Sequence, residues 1–226
     1  MVLLDGFHAV KHALRFEADV PVALATDKPA ALGLARALAP ELAEPLDGLL
    51  RPVSQETLRG LVPRPHPTGV AALAVRPPRP RSFPPAPVVV LDNPRHLGNI
   101  GAVVRLTAGA GAGGVITTGT VDPWHPNALR ASAGLHYATA VTRRSPDQLP
   151  LGPLYALDPE GEDIRGVPIE DGTLLAFGSE RTGLSPALRA RATRLLALPM
   201  RPQVSSYNLA TSVAMTLYHW LSQREH

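Results

Sequence analysis

Residues 195–220, LLALPMRPQVSSYNLATSVAMTLYHW, decide how the rest of the chain is read. The apolar run 195–198 predicts a buried strand, and Pro199 ends it. The loop MRPQVSSYN (200–208) is polar, and from Asn208 the spacing turns helical. Leu209, Val213, Ala214, Leu217, Tyr218 and Leu221 recur at intervals of three and four, the stripe of an amphipathic helix. Strand, polar loop and helix N-terminus in succession are where α/β proteins hold ligands, because free backbone N–H groups and the helix dipole point into the crevice. Ser205, Ser206 and Asn208 are then either caps of that helix or groups of a site.

Composition narrows the classes. A chain of 226 residues holds one large domain or two small ones. Of its 22 basic residues only Lys11 and Lys28 are lysines, a bias that belongs to the composition and not to a site. The net charge of +3 and a pI near 9.7 agree with a nucleic-acid partner only weakly. With no cysteine, disulfides, thiolate catalysis and cysteine-bound zinc are excluded, and His96 has no partners at metal-ligand spacing. The start, MVLLDGFHAVKHAL, lacks the basic region and long apolar run of a signal peptide, and no stretch approaches the roughly 20 apolar residues of a membrane span. A soluble cytoplasmic protein is expected.

In chain order, residues 1–76 predict a small α/β module. It has a helix after Gly6 with Ala9, Val10, Ala13 and Leu14 on one face, a strand over 20–25 and a helix over 29–38. A short helix capped by Ser54 and a strand over 69–75 follow. RPPRPRSFPPAP (76–87) reads as a stiff, solvated, proline-rich linker, which sets the domains at 1–76 and 88–226 with 77–87 between. Beyond it strands (88–91, 115–118, 138–142, 154–157, 173–177) alternate with helices (99–108, 127–132, 186–191). That pattern predicts an α/β fold, a mainly parallel sheet with helices on both faces.

Gly109, Gly111 and Gly114 satisfy G-x-G-x-x-G, but they follow a helix and lead into a strand, the reverse of a dinucleotide fingerprint. They read as a helix C-terminus with a left-handed glycine and then a turn. Three other stretches carry chemistry. In LDNPRHLGNIGAVVRLTAGAGAG (91–113), Arg105 lies among Val103, Val104 and Leu106, which predicts partial burial and an anionic partner, either an internal salt bridge or a ligand phosphate or carboxylate. In LLAFGSERTGLS (174–185) a buried strand runs into Gly178 and Glu180, either a tight turn or a crevice. The third is the stretch at 195–220. Together they set Asn99, Arg105, Glu180, Ser206 and Asn208 beyond strand ends of one sheet.

GNIGAVVRLTAGAGAGGV, LLAFGSERTGLS and LPMRPQVSSYNLATSVAM, in this order, resemble the three motifs of the SpoU-type RNA ribose 2′-O-methyltransferases of the SPOUT superfamily. LRASAGLHYATAVTR between them also resembles that family. DGFHAV and HPTGVAALAV in the first part resemble, more loosely, a ribosomal-protein-like substrate-binding domain. The resemblance implies a deep C-terminal trefoil knot, bound S-adenosylmethionine, a homodimer, and tRNA or rRNA as substrate. It implies Leu157, Gly178, Leu198, Met200, Ser206 and Tyr207 as cofactor contacts, and Asn99, Arg105, Glu180, Ser206 and Asn208 as the catalytic or RNA-facing set, with no metal. Two positions depart from the family pattern: Gly98, where proline is frequent, and Tyr207, where leucine is usual. Ser206-Tyr207-Asn208 resembles the subgroup acting on the tRNA wobble ribose, whereas the two-domain layout resembles rRNA enzymes and other tRNA enzymes.

A guanidinium is not deprotonated in proteins, so Arg105 is expected to grip a phosphate and stabilise developing charge, leaving the proton to that phosphate, to Glu180 or to water. The alternative is a non-catalytic RNA-binding or ribosome-assembly protein on the same fold.

Overall fold

The computed structural model describes residues 1–224; the last two residues of the expected 88–226 domain lie outside the described residues. The chain divides into two compact units. One comprises Met1–Pro78 together with Trp124–Ala138; the other comprises Arg79–Pro123 and the chain from Thr139 on.

In the first unit β1 (Val2–Asp5), α1 (Phe7–Arg15), β2 (Val22–Ala25), α2 (Lys28–Leu38), α3 (Ala43–Leu49), β3 (Leu50–Pro52), α4 (Gln55–Leu61) and β4 (Val70–Ala74) follow one another. They build a four-stranded sheet in the order β1-β4-β2-β3, with β4 antiparallel to both neighbours and β2 parallel to β3. Local chemistry sets the helix starts. The Asp27 carboxylate accepts the Ala30 N–H at 2.9 Å to cap α2, and Ser54 Oγ accepts the Thr57 N–H at 3.0 Å to cap α4. Gly6 precedes α1 at φ 101°, where an added Cβ would lie 2.8 Å from the His66 ring.

The second unit begins with β5 (Val88–Leu91), α5 (Leu97–Ala110) and β6 (Gly114–Thr117). The chain then gives α6 (Pro126–Ala131) to the first unit before β7 (Ala140–Arg143). β8 (Leu154–Asp163), β9 (Leu174–Phe177), α7 (Pro186–Arg191), β10 (Arg194–Ala197) and α8 (Leu209–Ser222) complete it. The sheet is six-stranded, in the order β10-β8-β9-β5-β6-β7, and every recorded pairing is parallel. Side chains of both parities along β5 are buried, as expected of a parallel sheet covered on both faces. Val88, Val90, Ile116, Leu154 and Ala176 form one core cluster with Leu188 of α7. The glycine-rich stretch closes α5 as expected: Gly111 adopts φ 68°, and its N–H bonds the Ala108 carbonyl.

Several expectations are corrected. Arg79, Arg81, Ser82, Pro84 and Pro85 of the proline-rich segment are exposed, but from Arg79 on the segment belongs to the second unit and is anchored there. Ala86 is buried, Phe83 packs on the core cluster, and Gly114 passes so close that a Cβ there would meet the Phe83 ring at 2.9 Å. Arg144 stacks on Phe83 and donates to the Pro80 carbonyl at 2.7 Å, so carbonyls that proline leaves unpaired are satisfied.

Trp124–Ala138, expected in the second domain, packs with the first unit. Arg130 bonds the buried Asp5 carboxylate at 2.8 Å, and His12 Nδ1 lies 2.7 Å from the Ala133 carbonyl. Gly134 at φ 78° sits against the Ala9 backbone. On α8 the buried face is Leu209, Val213, Thr216, Leu217 and Trp220, while Tyr218 is 73% exposed. A stripe that includes Trp220 rotates Tyr218 away from the core. Among the described residues no helix is long and apolar enough to cross a membrane.

Candidate active site

The carboxyl ends of β8, β9 and β10 open onto a cavity of about 300 Å³. All the residues named above as cofactor contacts line it: Leu157 within β8, Gly178 after β9, Leu198 and Met200 after β10, then Ser206 and Tyr207. Phe177, Leu196 and Leu209 add apolar wall, and Ser205 and Ser212 add hydroxyls. Gly178 is there because nothing larger fits: a Cβ would lie 2.2 Å from the Gly183 carbonyl carbon and 2.3 Å from the Leu184 nitrogen. The loop it opens closes on itself. Ser179 and Gly183 exchange backbone hydrogen bonds of 2.9 and 3.1 Å, and Gly183 takes φ 66°.

Glu180, on the cavity wall, starts a side-chain relay. Its Oε1 accepts from Asn99 Nδ2 at 2.9 Å and its Oε2 from the Arg95 backbone N–H at 3.3 Å. Asn99 Oδ1 in turn accepts from Asn208 Nδ2 at 3.3 Å, and Asn208 Oδ1 accepts the Ala210 N–H at 2.9 Å. Asn208 is therefore both the cap of α8 and a member of the relay, while Ser205 and Ser206 face the cavity and are not caps. Burial is the largest influence on the Glu180 carboxyl and pushes it up. Hydrogen bonds from the Asn99 side chain and from the backbone of Glu180, Arg95 and His96 outweigh burial, so the carboxyl titrates below its ordinary value. At neutral pH it is an engaged anion, suited to orienting Asn99 and poorly suited to taking a proton.

Arg105 departs from expectation. It is exposed, not partly buried, because Gly101, Val104 and Thr107 occupy the inner face of α5. Its guanidinium has no hydrogen-bond or ion-pair partner among the described residues, so neither an internal salt bridge nor burial holds it. His96 is the N-cap position of α5 and exposed. Among the described residues no group of three or more His, Asp or Glu side chains is arranged to hold a metal ion.

Sequence reasoning missed Asp92. Only 3% exposed, it accepts Thr118 Oγ1 at 2.7 Å and the Ser185 N–H at 2.6 Å, tying the ends of β5 and β6 to the start of α7. The one available signal was a carboxylate directly after an apolar strand. Asp158, which lines the cavity, and Arg189, which bonds it, were also missed.

The chain matches the SpoU rRNA Methylase family over residues 86–218. It is 30% identical over 179 residues to an uncharacterized tRNA/rRNA methyltransferase of Synechocystis, covering 74% of this chain and 65% of that one. It is 32% identical over 151 residues to the 23S rRNA (uridine(2479)-2′-O)-methyltransferase of Streptomyces viridochromogenes, covering 60% and 52%. The chain thus spans between about half and two thirds of the length of these relatives. The crystal structure of the SpoU methyltransferase AviRb from S. viridochromogenes superposes with a TM-score of 0.81 at 24% identity, over 99% of this chain and 90% of that one. AviRb has also been solved in complex with AdoMet.

Proposed function

The chain belongs to the SpoU rRNA methylase family, and from that membership we propose that it transfers a methyl group from S-adenosylmethionine to a ribose 2′-hydroxyl of RNA. The observation that carries the reading is the cavity of about 300 Å³ at the strand ends, with the Glu180–Asn99–Asn208 relay starting from its wall. Its residues suit the cofactor. Leu157, Leu198, Met200 and Leu209 offer apolar surface to an adenine ring, and Ser205, Ser206 and Ser212 offer hydroxyls to an amino-acid end. When bound, S-adenosylmethionine supplies an electrophilic sulfonium methyl.

The chain's own groups do the positioning. Glu180 fixes the Asn99 amide, and Asn99 fixes Asn208. Arg105, exposed on α5, grips an RNA phosphate and stabilises charge on the hydroxyl oxygen as its proton leaves. With Glu180 held as an engaged anion, the proton goes to the phosphate or to water. Most of the acceleration is then orientation.

Ribosomal RNA is the proposed substrate and tRNA the second. The 23S rRNA enzyme among the relatives supports that order. In the same reading the first unit binds RNA, residues 195–220 thread a trefoil knot, and the protein acts in the cytoplasm. It works as a homodimer, a state favoured by the exposed Tyr218 and Met215 on α8. The test is transfer of labelled methyl groups to total rRNA and tRNA, with the product mapped by mass spectrometry. A protein that binds cofactor but labels no RNA would be the non-catalytic binding protein instead.

A further inference from the structure

We propose that Arg189 is a positioning residue that sets one wall of the cavity, an inference that rests on reading the cavity as the S-adenosylmethionine site. The argument starts from a register break. Arg194 and Leu195 of β10 lie opposite Tyr155 and Ala156 of β8, but the next residue, Leu196, lies opposite Glu162. Residues 157–161 therefore have no partner on β10, although Leu157 still pairs with Phe177 of β9, and Leu157, Asp158 and Pro159 become cavity wall.

Both ends of this excursion are pinned. At its return, Gly161 packs so tightly on β10 that a Cβ would lie 2.4 Å from the Leu195 carbonyl carbon. At its outer end Asp158, 9% exposed, accepts the Glu160 N–H at 3.0 Å and the Arg189 guanidinium through its other oxygen. A second nitrogen of the same guanidinium reaches Glu160 Oε2 at 2.5 Å. One planar cation thus spans both carboxylates, a geometry that a lysine ammonium does not reproduce.

Arg189 does not itself line the cavity. It stands on α7, which starts directly after the Gly178–Gly183 loop and is anchored there by the Asp92 bond to the Ser185 N–H. The excursion from β8 and the loop from β9 are two walls of one cavity, and Arg189 fastens the first to the helix that follows the second. Without it the nearly buried Asp158 keeps a single backbone donor, and the wall is free to move. The Glu160 half of the contact is exposed and contributes little by itself.

The test is calorimetric binding of S-adenosylmethionine and steady-state methyl transfer with the full chain, its Arg189→Ala, Arg189→Lys and Glu160→Gln variants. Arg189→Ala is expected to weaken cofactor binding about tenfold and to raise the cofactor KM in parallel, with kcat at saturating cofactor within about twofold. Arg189→Lys falls between, near threefold on the same scale, and Glu160→Gln stays close to the parent. An unchanged cofactor affinity in folded Arg189→Ala, or in Arg189→Lys should the alanine variant not fold, overturns the proposal. So does a loss confined to kcat. Failure of the parent chain to bind cofactor overturns the site assignment, and this proposal with it.

Discussion

Two loops line the same cavity and are built on opposite plans. Residues 178–184 form a closed loop, with paired backbone bonds between Ser179 and Gly183 and a 2.6 Å contact between the Ser179 and Thr182 hydroxyls. Its glycines sit where no Cβ fits or where φ is positive. Residues 201–208 are all exposed. The internal bonds recorded across 199–207 are Val204 N–H to the Arg201 carbonyl at 3.3 Å and Tyr207 hydroxyl to the Pro199 carbonyl at 2.9 Å. The first loop meets a ligand already in shape; the second has backbone to order when a ligand arrives. If the cavity holds the cofactor as proposed, rigid placement of Glu180 and adaptable closure are divided between two strand ends.

The contrast can be broken by substitution. The largest effect is expected at Gly178: Gly178→Ala forces a Cβ into backbone atoms and should cost roughly 3 kcal/mol in thermal unfolding. Val204→Ala in the open loop should stay within about 0.5 kcal/mol. Equal losses at the two positions would erase the distinction.

Next is Asn99→Ala, which removes the middle of the relay that the closed loop positions. Turnover on RNA should fall about a hundredfold while the melting temperature barely moves. A normal rate would detach Asn99 from the chemistry. Third, Tyr207→Phe deletes the one side-chain strap of the open loop. Cofactor affinity should drop about fivefold, the worth of one hydrogen bond, and an unchanged affinity would mean the strap does not shape the bound state.

The smallest effect concerns acid. The Glu180 carboxyl titrates below its ordinary value, so the stability it contributes is complete above the usual carboxylate range and is lost as pH falls through its depressed folded value. Glu180→Gln should therefore flatten the acid limb of a stability-against-pH curve. An identical limb in both proteins would show that the carboxylate is not held as described.

The sequence carried the strand–loop–helix punctuation well, because apolar runs ending in glycine, proline or a capping residue are local signals. Asn208 was legible as one of three candidate caps, with Ser205 and Ser206, and position alone did not separate them. What escaped depends on distant partners. Asp92 takes its meaning from Thr118 and Ser185, and Asp158 from Arg189. β8 continues past the expected 154–157 through Pro159 and charged residues, and its far end is marked only by the distant pairing of Glu162 and Asp163 with Leu196 and Ala197 of β10. β3 is a three-residue strand with Arg51 and Pro52 in it, too short for any alternation to show. Arg105 was misjudged because neighbours in sequence are not neighbours on a helix: the burial of Val104 says nothing about the next residue.

The return of Trp124–Ala138 to the first unit bears on how the chain is made. A ribosome releases Met1–Pro78 first, yet that unit still lacks Arg130, the partner of buried Asp5, and the carbonyl that meets His12. At 5–20 residues per second, synthesis from residue 78 to 138 takes on the order of several seconds. During that interval the first unit has all four strands of its sheet but waits for a segment whose codons lie beyond those of β5 and β6. The order of translation and the order of completion are therefore different, and a chain cut before residue 130 yields a first unit in which the Asp5 carboxylate has no Arg130 to meet it.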